Sequence, residues 1–240
     1  MSTAPSVHHL DPITLGSLPA RLFSDDGLVV DDLPGLLAQA GCRPLATLRP
    51  HLPALRQGGV QTAPLGVIQD PAGSAVGSGS SPSGGGASGA IYQAFPDLLP
   101  IPAMQPGDAV FNASPGPGRR VLHSFSPQLR GKPGVAADRE ARLGELATAF
   151  LNALAAMAER APHLGDDGGL LNLVPLSASI FAGAFRDPDL RHLDPSYTLA
   201  ATLLAVDVAL TRGISLVPMT LSYFDPEVLE AARECADSLG

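Results

Sequence analysis

Ser83-Gly84-Gly85-Gly86-Ala87-Ser88-Gly89-Ala90-Ile91 is the stretch on which the fold of this 240-residue chain turns. It closes a run, residues 72–89, made almost wholly of Gly, Ser, Ala and Pro. That composition ordinarily makes a flexible linker between domains. Here an apolar segment, Ala90-Ile91-Tyr92-Gln93-Ala94-Phe95, follows at once. Gly/Ser-rich backbone running into a helix start leaves free N–H groups at the positive end of the helix dipole, and together they cradle an anion. Gly84 to Gly89 also fits G-x-G-x-x-G formally, with Asp108 near the spacing of a ribose-binding acid. A dinucleotide fold, however, needs a strand directly before the glycines and a full crossover helix after them. No strand directly precedes this run, and Pro96 stops the helix early. Neither G-x-x-x-x-G-K-[ST] nor G-x-S-x-G occurs.

Outward from the glycines the pattern is regular. Leu65-Gly66-Val67-Ile68 reads as a buried strand whose polar end, Gln69-Asp70-Pro71, enters a loop. Met104 to Val110 and Val121 to Phe125 read as a hairpin-like pair across a Pro/Gly turn at Pro115 to Gly118. A helix begins at Asp138, with Leu143, Leu146, Phe150, Leu154 and Met157 on one buried face, and stops before Pro162. Leu170 to Pro175 is a strand, and Ser177 to Gly183 is a loop of small residues. Asp194-Pro195 caps a helix that Gly213 closes. Ile214 to Phe224 reads as a strand, and Asp225-Pro226 caps a last helix through Val228, Ala232 and Cys235. Strands alternating with helices predict a mostly parallel sheet covered on both faces. Ligands of such sheets sit beyond the carboxyl ends of the strands, which gathers loops 69–89, 176–184 and 224–226. Residues 1–63, with recurrent prolines, read as a partly ordered N-terminal extension packed on a main unit of residues 64–240.

Apolar residues make up 45% of the chain, enough for a large core, and charged residues only 16%. The net charge of −8 argues against general nucleic-acid binding, because phosphates are repelled. No apolar run approaches the roughly 18 residues of a membrane span, and no secretory leader pattern is expected in the first 25 residues. Cys42 and Cys235 lie far apart and form no metal or redox spacing, and His8-His9 has no partner at ligand spacing. The expectation is a cytoplasmic protein without a metal.

The order of the pieces carries a resemblance. Ser83 to Ile91 resembles the glycine loop and helix start of macrodomains, a run of glycines leading into Gly-Ala-Ile. Met104 to Ser114, then Val121-Leu122-His123 and Pro127, looks like the family's "G-x-A" strand, "V-I-H" strand and trailing proline. Val174-Pro175 to Gly183 looks like its second phosphate loop, and Leu221 to Asp225 like its last strand, ending in an aromatic and Asp. The resemblance runs in order over about residues 65–240. It implies a three-layer α/β/α mixed sheet and a cleft for ADP-ribose, free or on a mono-ADP-ribosylated protein. The ligand-binding residues it implies are Gln69, Gly84, Gly85, Gly86, Ala87, Ser88 and Gly89 on one side. On the other they are Ser177, Ser179, Ile180, Phe181, Ala182, Gly183 and Phe224. A diphosphate needs several N–H donors and no bulky Cβ, which both loops offer. Phe224 is placed like the aromatic that stacks adenine, and Phe181 like the one beside the distal ribose. Either is alternatively an ordinary core Phe. His123, inside an apolar strand, reads as a core histidine.

The chain also departs from the family. Hydrolytic macrodomains carry Asn-Ala-Ala-Asn before the glycines and an Asp in the loop. Here Gln69-Asp70-Pro71-Ala72 and Ser88 stand there, and Ile180 replaces a common Gly. Ser88 is a poor base. Asp70 is the candidate catalytic carboxylate, able to orient water or ribose hydroxyls from a strand's mouth, with a plain turn residue as the alternative. ADP-ribosyl hydrolysis, a non-catalytic ADP-ribose reader and a degenerate interaction module are the three functions left open.

Overall fold

The computed structural model describes residues 6–63, 65–73, 84–114, 116 and 120–239. Among these residues seven strands form one mixed sheet: β1 (Val7–His8), β2 (Ala54–Gln57), β3 (Val67–Ala72), β4 (Ala109–Phe111), β5 (Val121–Phe125), β6 (Leu171–Leu173) and β7 (Met219–Tyr223). Their spatial order is β1-β4-β5-β3-β6-β7-β2. The five strands from β5 to β2 run parallel, while β4 is antiparallel to both β1 and β5. Six helices accompany them among the described residues: α1 (Leu33–Gln39), α2 (Leu45–Leu48), α3 (Gly86–Ala94), α4 (Ala136–Arg160), α5 (Pro195–Thr211) and α6 (Pro226–Asp237).

Alternate strand residues point to opposite faces, and this divides the core. Val67, Leu122, Leu171 and Leu221 pack with α4, α5 and α6 in the main cluster. Ile68 and Val121 pack with Ile91 and Phe95 of the α3 side. The result is the three-layer α/β/α arrangement expected, with helices on both faces. α5 is buried nearly all round, which explains why its sequence shows no polar stripe. Its Asp194 accepts from Ser196 N–H with proline next, the cap read from sequence.

Residues 6–63 supply both sheet edges, since β1 pairs with β4 and β2 with β7. Leu22, Phe23, Leu36 and Leu48 lie in the main cluster. Between them the chain runs extended along α4 with no strand partner. Its N–H groups are answered instead by one face of that helix: Leu10 by Asn152 Oδ1, Ile13 by Thr148 Oγ1 and Leu18 by Glu140 Oε1. Gly144 permits this approach, because a Cβ there would lie 2.4 Å from the Ile13 carbonyl oxygen.

Two expected strand boundaries change. β3 continues through Gln69-Asp70-Pro71-Ala72, because β5 runs beside it as far as the Ala72↔Phe125 pair. β7 begins only at Met219, not Ile214, since its neighbour β6 is three residues long and offers no earlier partner. No described helix is long and apolar enough to cross a membrane.

Candidate functional site

The carboxyl ends of β3, β5, β6, β7 and β2 emerge on one edge of the sheet, and a cleft of about 930 Å³ lies there. That is ample for a nucleotide-sized molecule.

The start of α3 forms one wall. Gly85 is its N-cap and supplies no side-chain cap, and Gly86 follows at φ +57°. The first N–H groups of a helix have no partner within it, so here they are free for a ligand. A Cβ on Gly85 or Gly86 would meet nothing within 4 Å, because both border open space in the cleft. Gly89 has another role: a Cβ there would approach the Gly84 carbonyl oxygen to 2.8 Å. Its bare backbone lets the loop fold onto the first helical turn, and Gly89 itself does not line the cleft. Ala87 and Ser88 do line it. Ser88 is nearly buried, with its hydroxyl donating to the Pro71 carbonyl at 3.3 Å. Ser83 and the rest of residues 74–83 lie outside the described residues.

The loop after β6 forms the opposite wall. Ser177 sits at φ +56° with its hydroxyl donating to the Pro127 carbonyl. The Leu129 N–H donates to the Phe181 carbonyl at 2.8 Å. These bonds clamp the loop against residues 127–129 and leave Ser179, Ile180 and Phe181 on the cleft. Ile180 is 80% exposed. Ala182 is buried, and Gly183 is exposed but aligned with the Leu129 carbonyl, 2.6 Å from where its Cβ would be. Neither Ala182 nor Gly183 lines the cleft, so their contribution is to the turn.

The end of β7 adds an aromatic. Phe224 is 84% exposed, which excludes an ordinary core position, and it lies between buried Tyr223 and Asp225, the α6 N-cap. Beside it His192 packs on Tyr223, ring centroids 6.2 Å apart, and its Nδ1 bonds the Leu193 carbonyl. Burial lowers the His192 pKa from its ordinary value, so the neutral ring prevails near pH 7. The loop after β2 completes this end with Gly58, Gly59, Val60 and Gln61. Two serines also line the cleft, Ser126 after β5 and Ser222 on β7. Each is buried, with an Oγ that has no hydrogen-bond partner. A buried hydroxyl left unpaired costs about 1–3 kcal/mol, so each of the two stores a local polar imbalance beside the cleft.

Gln69 and Asp70 do not line the cleft; both are fully buried inside β3. Gln69 spans the sheet, donating to Ser124 Oγ and accepting from the Val174 N–H at the root of the second loop. Asp70 belongs to a polar cluster beneath α3. Its Oδ2 accepts from the Tyr92 hydroxyl at 2.6 Å and meets His123 Nδ1 at 2.7 Å, while Oδ1 has no partner. His123 Nε2 accepts from the Asn112 amide at 3.0 Å, which assigns the ring proton to Nδ1 and its donation to Asp70. Burial, and then the Asp70 carboxylate, push the Tyr92 hydroxyl pKa well up. Asp70 is tied through Tyr92 to α3, one turn beyond the cleft-lining Ser88.

The sequence reading missed residues 58–61, His192, Ser126 and Ser222. Gly58-Gly59 directly after Ala54-Leu55-Arg56-Gln57 was the available signal for the first of these. Asp187 caps the turn after the second loop, accepting from the Asp189 and Leu190 N–H groups. Among the described residues no cluster of three or more His, Cys, Asp or Glu is placed to hold a metal.

No family model matches the sequence, and no curated protein matches it. Solved structures do share its fold. A Trypanosoma brucei macrodomain in complex with ADP-ribose is 18% identical with a TM-score of 0.53, over 83% of this chain and 75% of that one. A mutant macrodomain of Oceanobacillus iheyensis is 15% identical with a TM-score of 0.52, over 77% and 90%. The alphavirus P23pro-zbd structure is 17% identical with a TM-score of 0.50 over 78% of this chain, which spans only 23% of that protein. The chain has the macrodomain fold.

Proposed function

We propose that this protein binds ADP-ribose, free or attached to a partner protein, and acts as a reader of that modification. One observation carries the reading. A helix start stripped of side chains faces a small-residue loop across a cleft whose far end holds an exposed aromatic ring. The order suits a diphosphate on the two loops and an adenine on Phe224. The T. brucei macrodomain is solved with ADP-ribose and with ADP, which supports the same ligand class here. Among the described residues the cleft is lined by no Lys or Arg, so backbone N–H groups rather than cationic side chains hold the phosphates.

The reader is favoured over a hydrolase by what lines the glycine end. Gly, Ala, Ser, Pro and Phe surround it, and residues 74–83 contain no ionisable side chain in sequence. Asp225, the carboxylate that does line the cleft, is bonded as a helix cap at the opposite end. A thermal-shift titration with ADP-ribose, run beside a time course of ADP-ribose release from arginine-linked and carboxylate-linked mono-ADP-ribosylated proteins, tests this. The reader reading expects stabilisation of about 2.7 kcal/mol at a hundredfold excess over Kd, with no release from either substrate. Release that Asp70→Ala reduces by about tenfold or more would instead assign hydrolysis, with Asp70 in the supporting role of a general-base system.

A further inference from the structure

A second cavity, of about 470 Å³, lies away from the cleft. It sits between the extended segment after β1, helix α4 and residues 127–130. Two guanidinium groups line it, those of Arg130 and Arg142. In a chain of net charge −8 that concentration of positive charge is local and specific.

The partners of these groups are known in part. Arg142 pairs through Nη2 with Glu145 Oε1 at 2.8 Å, yet its Nε is buried with no partner. Arg130 is exposed and donates from Nη2 to Gln128 Oε1 at 2.9 Å, which leaves the Gln128 amide as a further donor at the same wall. Thr148 and Asn152, which also line the cavity, have their oxygens engaged by the Ile13 and Leu10 N–H groups. His9 is held by Asp108. The unmet capacity of the wall is therefore donor capacity, from guanidinium forks and an amide.

We propose that this cavity is a carboxylate-binding site, with Arg130 and Arg142 gripping the carboxylate and the Gln128 amide beside it. Guanidinium forks match planar acceptor pairs and form charge-assisted bonds with them. Charge selects the carboxylate over a phosphate dianion. Two arginines less Glu145 leave one positive charge, which a single carboxylate neutralises and a dianion exceeds. The carboxylate is either a free small acid or an acidic side chain of a protein. The site is distinct from the ADP-ribose cleft and stands whether or not that reading does.

The test is a two-dimensional amide NMR titration of the ¹⁵N-labelled full chain with sodium acetate, against sodium chloride at equal ionic strength. Saturable shifts are expected at residues 128–130 and 145, with a Kd on the order of millimolar. Arg130→Gln, at an exposed position, should weaken the binding at least about fivefold, since bonds to charged groups are the strong ones. Arg142→Gln serves as a second variant, with far-UV circular dichroism confirming its fold. Gly85→Glu, which fills the cleft, should leave acetate binding unchanged. A glutamate-containing tripeptide, capped at both ends, distinguishes the sources: tighter binding than acetate assigns a protein side chain, and weaker binding a free acid. Absence of saturable shifts, equal binding by Arg130→Gln, loss in Gly85→Glu, or tighter binding of inorganic phosphate would each overturn the proposal.

Discussion

The glycine wall and the polar cluster beneath it share helix α3 and are built on opposite principles. At the wall, Gly85 and Gly86 leave backbone donors open to space. Beneath it, Tyr92, Asp70, His123 and Asn112 form a chain of hydrogen bonds away from the cleft. Both meet on α3, which begins at the wall and carries Tyr92 on its second turn. The open groups are available to a ligand, and the closed ones hold in place the helix that presents them. A carboxylate near a loop in sequence is therefore no guide to chemistry until its partners are known.

The largest expected effect lies in the closed cluster. Asp70→Ala strands the Tyr92 hydroxyl and the His123 ring proton in the core, and unfolding in urea should show a loss of about 3 kcal/mol. A loss below about 0.5 kcal/mol would erase the distinction between the two regions. At the wall the pattern should reverse. Gly85 has φ −109° and open space around it, so Gly85→Glu fits without strain. Its stability should stay within about 0.5 kcal/mol of the parent, while ADP-ribose binding falls by at least about a hundredfold through steric exclusion and repulsion. Retained binding would return the glycines to the status of a linker.

Phe224→Ala should weaken ADP-ribose by roughly one to two decades, because a base–aromatic stack contributes about 1–3 kcal/mol. Fluorescence competition would measure it, and an unchanged affinity would move the adenine elsewhere. The smallest effect concerns His192. Burial lowers its folded-state pKa below the ordinary 6.5, so the folded protein binds fewer protons than the unfolded chain as pH falls through that value. Stability is thus complete above about pH 6.5 and declines below it. His192→Gln should flatten the fall in Tm between about pH 7 and 5. Part of the slope remains with His8, which burial shifts in the same direction.

Local signals were legible where local physics decides. The Asp194-Pro195 and Asp225-Pro226 caps, the α4 stripe and the glycine run into α3 all stand where the sequence places them. What escaped is what depends on distant partners. β1 and β2 are two and four residues long, too short for a periodic pattern, and become strands only because β4 and β7 lie beside them. With β2 unread, the cleft's loop at residues 58–61 was unread too. Asp70 before Pro71 resembles a turn, and only its pairing with His123 across β5 reveals a buried acid. His192 follows a stretch of Asp and Arg that reads as surface, yet it returns to the cleft on the Arg186↔Leu193 bridge.

The central claim is that two loops and an aromatic act together on one ligand, and a calorimetric comparison tests it most directly. ADP-ribose, AMP and ribose 5-phosphate are titrated separately into the full chain. The account predicts one site for ADP-ribose, bound at least about tenfold more tightly than either fragment, since stacking and diphosphate contacts combine only in the whole molecule. No heat from ADP-ribose, or an affinity no better than that of AMP, would contradict it.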